Sequence, residues 1–576
     1  MHKTTTHLIT GFIQGCLLLL LHEGIVNQWV LFSSPEFTFA AYALVISIPI
    51  LLLLCWDIST KKTMAYVIVA ATVLLVLLGS YSGSLAFDDI QNNNSATQIF
   101  VFGSCMWVLL YISLPFIQSY LRRGHARFSY DDLYEFGWLN TAVMIVAVLF
   151  SGLVWLLLGL CAALFSMLDI HVFKDIFSDP YFIYPATAVM FCYGLSLGLQ
   201  RFNIGMIQRI DFFFRAITVM TSFIVVLFLI ALLVSGLEPL WNTRAATFLL
   251  LWLQVFIVLF TNSMVQRGYH ERSEAALVRW SITLPLIAMP FFSAITIYAI
   301  SLRIMQYGWT MDRVWAVLII AVMSLYALGY AYAALTGLFN SKNWLSKVAP
   351  SNTYAAMLII TIIILSHSPL LSPAHIAAQS QVNRLTSGEV KADDFDFMYL
   401  RFDLGRVGLD QLQTLSEIKD HPEAKRIQKL AKEAQLKKSR WGRNDKQDIQ
   451  ESDIAQLFEV YPKTQSLDAK LAHMLYNKRE KWAFMSCFKA NSSCFILYAD
   501  LNRDQQDEAI LFTFNHTAQV FTQSDNGWYH AGRLNVKHGH KSTALIQQAL
   551  KDQDFIVEQN TWDQLKVGEH IWHFQR

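Results

Sequence analysis

Apolar residues run almost unbroken through the first 373 positions of the chain and then give way to short alternating stretches. Eleven of the long runs reach the ~20 residues that a helix needs to cross about 30 Å of hydrocarbon. They lie near 7–24, 37–56, 64–81, 98–119, 136–158, 181–200, 216–235, 245–264, 280–301, 312–336 and 354–372. This pattern predicts an α-helical polytopic membrane protein with about eleven transmembrane helices. From 481 on, CFILYADL, AILFTF and AQVFTQ alternate or run apolar between polar turns, and SDNG (524–527) precedes WYHAGRLN as in a hairpin. With a helix near 541–551 and two further strands, they predict a small C-terminal α+β domain. In between, YLRFDLGRVGLDQLQTL reads as two short helices broken at Gly405. The expected division is a membrane domain over 1–373, a helical junction over 374–430 and the α+β domain over 431–576.

Charge sharpens this division. Residues 1–373 hold 18 Lys and Arg with 16 Asp and Glu, whereas 374–576 hold 27 of each. The balanced tail lacks the basic face that nucleic acid requires. Lys and Arg are also unevenly shared between alternate loops. The N-terminus and even-numbered loops hold fourteen, from Lys3 to Lys347, and the opposite loops hold four: Lys174, Arg244, Arg303 and Arg313. By the positive-inside rule the N-terminus is cytoplasmic, and eleven crossings place the tail outside. The first run reads as a retained anchor, because it continues past Cys16 and no A-x-A site follows. Five of the seven cysteines lie in the membrane part. The other two, Cys487 and Cys494, flank a polar KANSS turn, and the expectation is a disulfide across a hairpin in place of two unpaired strand thiols.

One of the sparsely charged loops, RIMQYGWTMDRVW (303–315), has its own chemistry. Gly308 suits the left-handed end of a helix, Thr310 an N-cap, and Asp312 the first turn of the next helix. Tyr307, Trp309 and Trp315 suit a membrane interface, where Arg303 can snorkel outward. Arg313 is less expected, since the helix dipole opposes a cation in a first turn by ~0.3–1 kcal/mol. Asp312, a lipid phosphate, or a carboxylate such as Asp394, Asp396 or Asp403 is expected to compensate it. Arg303, Arg313 and Tyr307 thus form a candidate site for an anion or an anionic lipid head group.

The same loop, as R-I-x-Q-Y-G-W-T-x-x-R-V-W, resembles the Y-G-[LW]-T-x-x-R signature of the bacterial membrane family known as domain of unknown function 4153. FDFMYLRFDLGRVGLDQLQTL (395–415) and the opening GFIQGCLLLLLHEG are similar to other segments of that family, so the resemblance covers most of residues 1–415. It implies a protein of the bacterial cytoplasmic (inner) membrane with a polytopic core, and hence a periplasmic tail; it brings no activity with it.

Other candidate chemistry is sparse. His22 and Glu23 read as an interfacial pair at the end of the first helix, and Pro285 and Pro290 as kinks in the ninth. No HExxH, paired-Asp or Ser/His set occurs in the membrane part, and no enzymatic activity is expected. In the tail, DLNRDQQDE (500–508) spaces Asp500, Asn502 and Asp504 as in a calcium loop, with Asp507 or Glu508 to close it. The bending glycine is replaced by Gln505, and position 12 is Leu511, so a solvated turn is the competing reading. The histidines of KHGHK (537–541) and HIWH (570–573) lack zinc-finger spacing and read as a loop and a strand. The functional expectation is a non-enzymatic envelope scaffold or regulator, in contact with the bilayer and with an envelope protein or a second copy of itself. The alternative is a transporter or flippase-like handler of an anionic lipid or small envelope molecule.

Overall fold

Backbone immersed in hydrocarbon must satisfy its own hydrogen bonds, so each long apolar run closes into a helix. In the computed structural model, residues 2–575 are described apart from 59, 88–92, 169, 202–210, 237–245, 266–275, 340–343, 438–439, 441–453, 478–486, 488–493, 513–516, 525–526, 537–547, 550–551, 553, 559–563 and 568–569. The first part contains α1 (His2–Val26), α2 (Pro35–Cys55), α3 (Lys61–Ser84), α4 (Asn93–Arg123), α5 (Tyr130–Ser166), the short α6 (Val172–Ser178), α7 (Pro180–Arg201), α8 (Asp211–Ser235), α9 (Ala246–Val265), α10 (Ala276–Tyr307), α11 (Met311–Phe339) and α12 (Val348–Ser366). Among the described residues, ten of these are long and apolar enough to cross a membrane. The eighth expected run forms α9, whose apolar stretch Thr247–Ser263 is shorter. α10 continues through Pro285 and Pro290 as one helix of 32 residues. The chain is a polytopic helical membrane protein.

Helix contacts follow small residues. Three pairs of glycines four apart, Gly11 and Gly15 in α1, Gly79 and Gly83 in α3, and Gly194 and Gly198 in α7, lie where another backbone comes close. A Cβ at any of them would come within 3.0 Å of the neighbouring helix's main chain, in α7, α2 and α5 respectively. Without a hydrophobic force between helices in lipid, such close approach supplies the packing energy. Large side chains fill the remainder: Leu51, Leu114, Val143 and Leu195 in one core, Leu286, Phe292 and Tyr330 in another.

Four shorter helices follow: α13 (Pro373–Thr386), α14 (Phe397–Asp403), α15 (Gly405–Ser416) and α16 (Ala424–Leu436). Asp396 caps α14 by accepting from the Tyr399 amide at 2.9 Å. Gly405, at φ +62°, turns the chain into α15. These helices share a core of Leu385, Leu400, Leu412, Leu415 and Ile427, with Leu85 and Met311 of the membrane helices packed against it. Arg406 fixes them to α2 and α3, through its amide to the Leu85 carbonyl (3.0 Å) and its guanidinium to Glu36 (2.9 Å). They form a cap over one end of the bundle, and the compact unit accordingly runs to Leu436.

The second unit, Lys437–Arg576, is an α+β domain with an eight-stranded sheet. Its strands are β1 (Phe458–Tyr461), β2 (Cys494–Ala499), β3 (Glu508–Phe512), β4 (Thr517–Ser524), β5 (Gly527–Val536), β6 (Phe555–Glu558), β7 (Gln564–Val567) and β8 (His570–Gln575). The order is β1-β2-β3-β4-β5-β8-β7-β6, with β1 and β2 parallel and the other pairs among the described residues antiparallel. Alternation in β2 sends Phe495, Leu497 and Ala499 to one core, and Cys494, Ile496 and Tyr498 to another under α18 (Ala469–Asn477), which follows the short α17 (Ile454–Leu457). The histidine stretch 537–541, most of the helix expected near 541–551, and Arg209, Arg244, Arg267, Arg272 and Lys342 lie outside the described residues.

Candidate functional site

The loop between α10 and α11 is held by carbonyl chemistry. Gly308 takes φ +71° and ends α10 by donating its amide to the Ile304 carbonyl at 2.8 Å. Arg313 donates to the carbonyls of Tyr307 (3.2 Å) and Gly308 (2.6 Å), and its guanidinium lies 5.4 Å from the Tyr307 ring centroid. These last carbonyls of α10 carry the negative end of a helix dipole, so a neighbouring helix end supplies the counter-charge that Arg313 lacks on its own helix. The cap binds the same loop. Gln381 donates to the Tyr307 and Trp309 carbonyls at 3.0 and 2.7 Å, Arg384 to the Gln306 carbonyl at 3.0 Å, and Ser380 and Tyr399 accept the amides of Trp309 and Met311. Contact between loop and cap is thus made by Ser380, Gln381, Arg384 and Tyr399. Arg303 is exposed one turn before the end of α10.

Beneath the cap and beside this loop lies a cavity of about 260 Å³. Its walls come from both sides of the cap–bundle junction: Phe39 of α2, Ser82 of α3, Gln98 and Phe102 of α4, Asp312 and Trp315 of α11, His367 after α12, and Tyr399 and Asp403 of α14. Three of these residues carry a buried polar atom with no hydrogen-bond partner: Ser82 Oγ, Gln98 Oε1 and Trp315 Nε1. Each such atom costs roughly 1–3 kcal/mol when left unmade. Burial lowers the pKa of His367 below the usual imidazole value. Its Nδ1 lies 3.0 Å from the Ile363 carbonyl, so the proton sits there and Nε2 is an acceptor. Burial pushes the Tyr399 phenol up to about 12, and Asp312 and Asp403 act the same way, which keeps its hydroxyl proton in place. The walls include two carboxylates and no lysine or arginine.

A second polar node occupies the opposite end of the bundle. The Tyr330 hydroxyl lies 2.7 Å from Asn262 Oδ1 and 2.6 Å from Asn352 Oδ1, and Asn352 donates to Tyr130 (2.6 Å) and Asn262 (2.7 Å). It borders a cavity of about 270 Å³ lined by Tyr111, Tyr134 and Trp138. Here the polar groups satisfy one another, unlike those under the cap.

In the tail, the oxygens of the aspartate-rich loop accept from the loop's own amides. Asp500 takes Arg503 (2.6 Å) and Gln505 (3.0 Å), Asn502 takes Asp504 (2.9 Å), and Asp504 takes Gln506 (2.8 Å). Arg503 and Gln505 adopt positive φ, 63° and 67°, so Gln505 makes the bend that a glycine would ease. Glu508 is fully buried, accepting from the Leu501 amide (2.7 Å) and the Thr522 hydroxyl (3.1 Å), while Asp507 turns away to accept from Gln465 (3.1 Å). No group of three or more His, Cys, Asp or Glu among the described residues is arranged to hold a metal ion. Cys487 and Cys494 form a disulfide with Cα atoms 5.5 Å apart. His570 and His573 belong to β8.

Sequence reasoning passed over the cavity because its walls come from six separate stretches with no common spacing. Its visible signals were the polar residues Ser82, Gln98 and His367 at the edges of apolar runs. Comparison with curated proteins and with solved structures gives no match. The profile of a family described as domain of unknown function (DUF4153) matches residues 28–417, which include the loop, the cap through α15 and every wall residue named above. Spanning more than half of the chain, that match means that the protein belongs to the family of domain of unknown function 4153.

Proposed function

We propose that this is a ligand-binding regulator of the bacterial inner membrane. It holds a small envelope molecule in the cavity under its cap and uses the periplasmic tail as an interaction module. The observation that carries this reading is the set of unpartnered polar atoms in the cavity wall, which a bound molecule would satisfy. The fourteen-to-four excess of Lys and Arg in alternate loops supports a cytoplasmic N-terminus, with cap and tail outside. A disulfide in the tail agrees with an oxidising compartment. Binding is favoured over passage because Leu75, Leu78, Met106, Leu109 and Ile363 pack tightly among the helices that carry the cavity.

The test is untargeted mass spectrometry of molecules co-purifying with the full chain and with Trp315→Phe, which removes one N–H and keeps a ring. At least one species should be enriched in the wild type and fall about tenfold in the variant, the equivalent of one hydrogen bond. Identical profiles from two equally folded proteins would overturn the reading.

A further inference from the structure

The cavity under the cap does not stand alone. Phe39 and Phe102 also line a second hollow, of about 460 Å³, between α2 and α4. This one is apolar, bounded by Ala43, Ile46, Met106 and Trp107, with Phe100 and Trp107 exposed along it. Its α2 wall extends from Phe39 to Ser47 and its α4 wall from Ile99 to Val108. At 1.5 Å per helical residue the groove is about 12–14 Å long. That is close to half of the ~30 Å hydrocarbon core, or the depth of one leaflet. Both helices start at the cap, so the groove begins where the polar cavity ends and descends into the bilayer. Gly103 lies in the groove wall, and a Cβ there would meet nothing within 4 Å.

Resting on the reading that the cavity binds a ligand, we propose that cavity and groove together form one site for a zwitterionic, ammonium-bearing phospholipid of the leaflet beneath the cap. The head enters the cavity and one acyl chain occupies the groove. Charge selects the head. Asp312 and Asp403 suit an ammonium group, and the carbonyl oxygen of Gln98 is a further acceptor for its hydrogens. The Trp315 N–H and the Ser82 hydroxyl are donors for phosphate or ester oxygens. A head of net negative charge would meet two carboxylates with no cation in the wall. Of the guanidiniums around it, Arg313 donates to the Tyr307 and Gly308 carbonyls, and Arg406 to Glu36 and the Ser84 carbonyl.

Native mass spectrometry of the full chain decides the matter, after equilibration with nanodiscs of either phosphatidylethanolamine or phosphatidylglycerol. Three proteins are compared: wild type, Trp315→Phe in the cavity and Gly103→Leu in the groove, where the new side chain has open space and should leave the fold intact. The wild type should retain phosphatidylethanolamine, with retention about tenfold lower in each variant. Preference for phosphatidylglycerol would overturn the proposal. So would a bound molecule that depends on Trp315 but not on Gly103, although the cavity would then remain a binding site for a head-group-sized ligand. Bound species indifferent to both substitutions would overturn the proposal and the underlying reading together.

Discussion

Arg313 stands at a helix start, where the dipole opposes a cation, and is stabilised there by the carbonyl end of the preceding helix. The sequence displayed the conflict and, in Gly308 and Thr310, the tight turn that brings the two helices together, but not that the carbonyls ending the first helix would be the partners of Arg313. Arg313→Ala should leave two carbonyls of α10 without a charged donor and destabilise the membrane unit by about 1–3 kcal/mol. Arg313→Lys should lose less, because an ammonium keeps the charge and can donate to both carbonyls, but its shorter side chain lacks the planar group that lies over Tyr307. Thermal unfolding in detergent checks the order wild type, Lys, Ala; equal midpoints for all three would refute the bridging role. Glu508 makes a pH-dependent prediction. Burial raises its pKa above the ordinary 4.5, with Asp504 and Asp500 adding to the shift against the amide and hydroxyl bonds it accepts. A carboxyl raised by folding favours the native state most below its unfolded pKa, and that contribution is lost as pH rises through the folded value. Glu508→Gln should therefore match the wild type in acid and become the more stable protein as pH rises towards neutrality. Circular dichroism of the tail's unfolding in the full chain would show it, and a difference that does not change with pH would count against it.

At the scale of elements, one backbone position brings the cap closest to the bundle. Gly405 combines φ +62° with a Leu85 carbonyl where a Cβ would sit, and the next amide donates to that same carbonyl. Gly405→Ala should cost about 2 kcal/mol or more, from the left-handed backbone alone and then from the clash. Limited proteolysis should find the segment between α13 and α15 newly cut; unchanged resistance would mean that docking does not rely on this turn. Most elements were legible because long apolar runs admit one solution in lipid, and α10 shows the strength of that constraint by remaining a helix through two prolines. The helix pairings were written in the glycines four apart in α1, α3 and α7. Such a pair names a contact face without naming its partner, so only the fold assigns them to α7, α2 and α5.

For the whole molecule, the sequence was informative in proportion to how local each feature is. The membrane and α+β parts separate by charge density alone, whereas the sheet order, in which β8 follows β5 and the chain's sixth strand lies at the edge, depends on contacts far apart in sequence. The cavity is the extreme case, with walls spread over more than 350 positions between Phe39 and Asp403. The polar node at the other end spans 222 positions, and its order along the chain matters for assembly. Tyr130 leaves the ribosome first, Asn262 and Tyr330 follow, and Asn352 comes last, yet Asn352 bonds all three. Synthesis runs from the N-terminus, so Asn262 and Tyr330 can bond each other while the bundle assembles, whereas Tyr130 gains its Asn352 partner only when the twelfth helix arrives. A chain stopped short of residue 352 would present quality-control proteases with an open polar seam, and completing the node would close it.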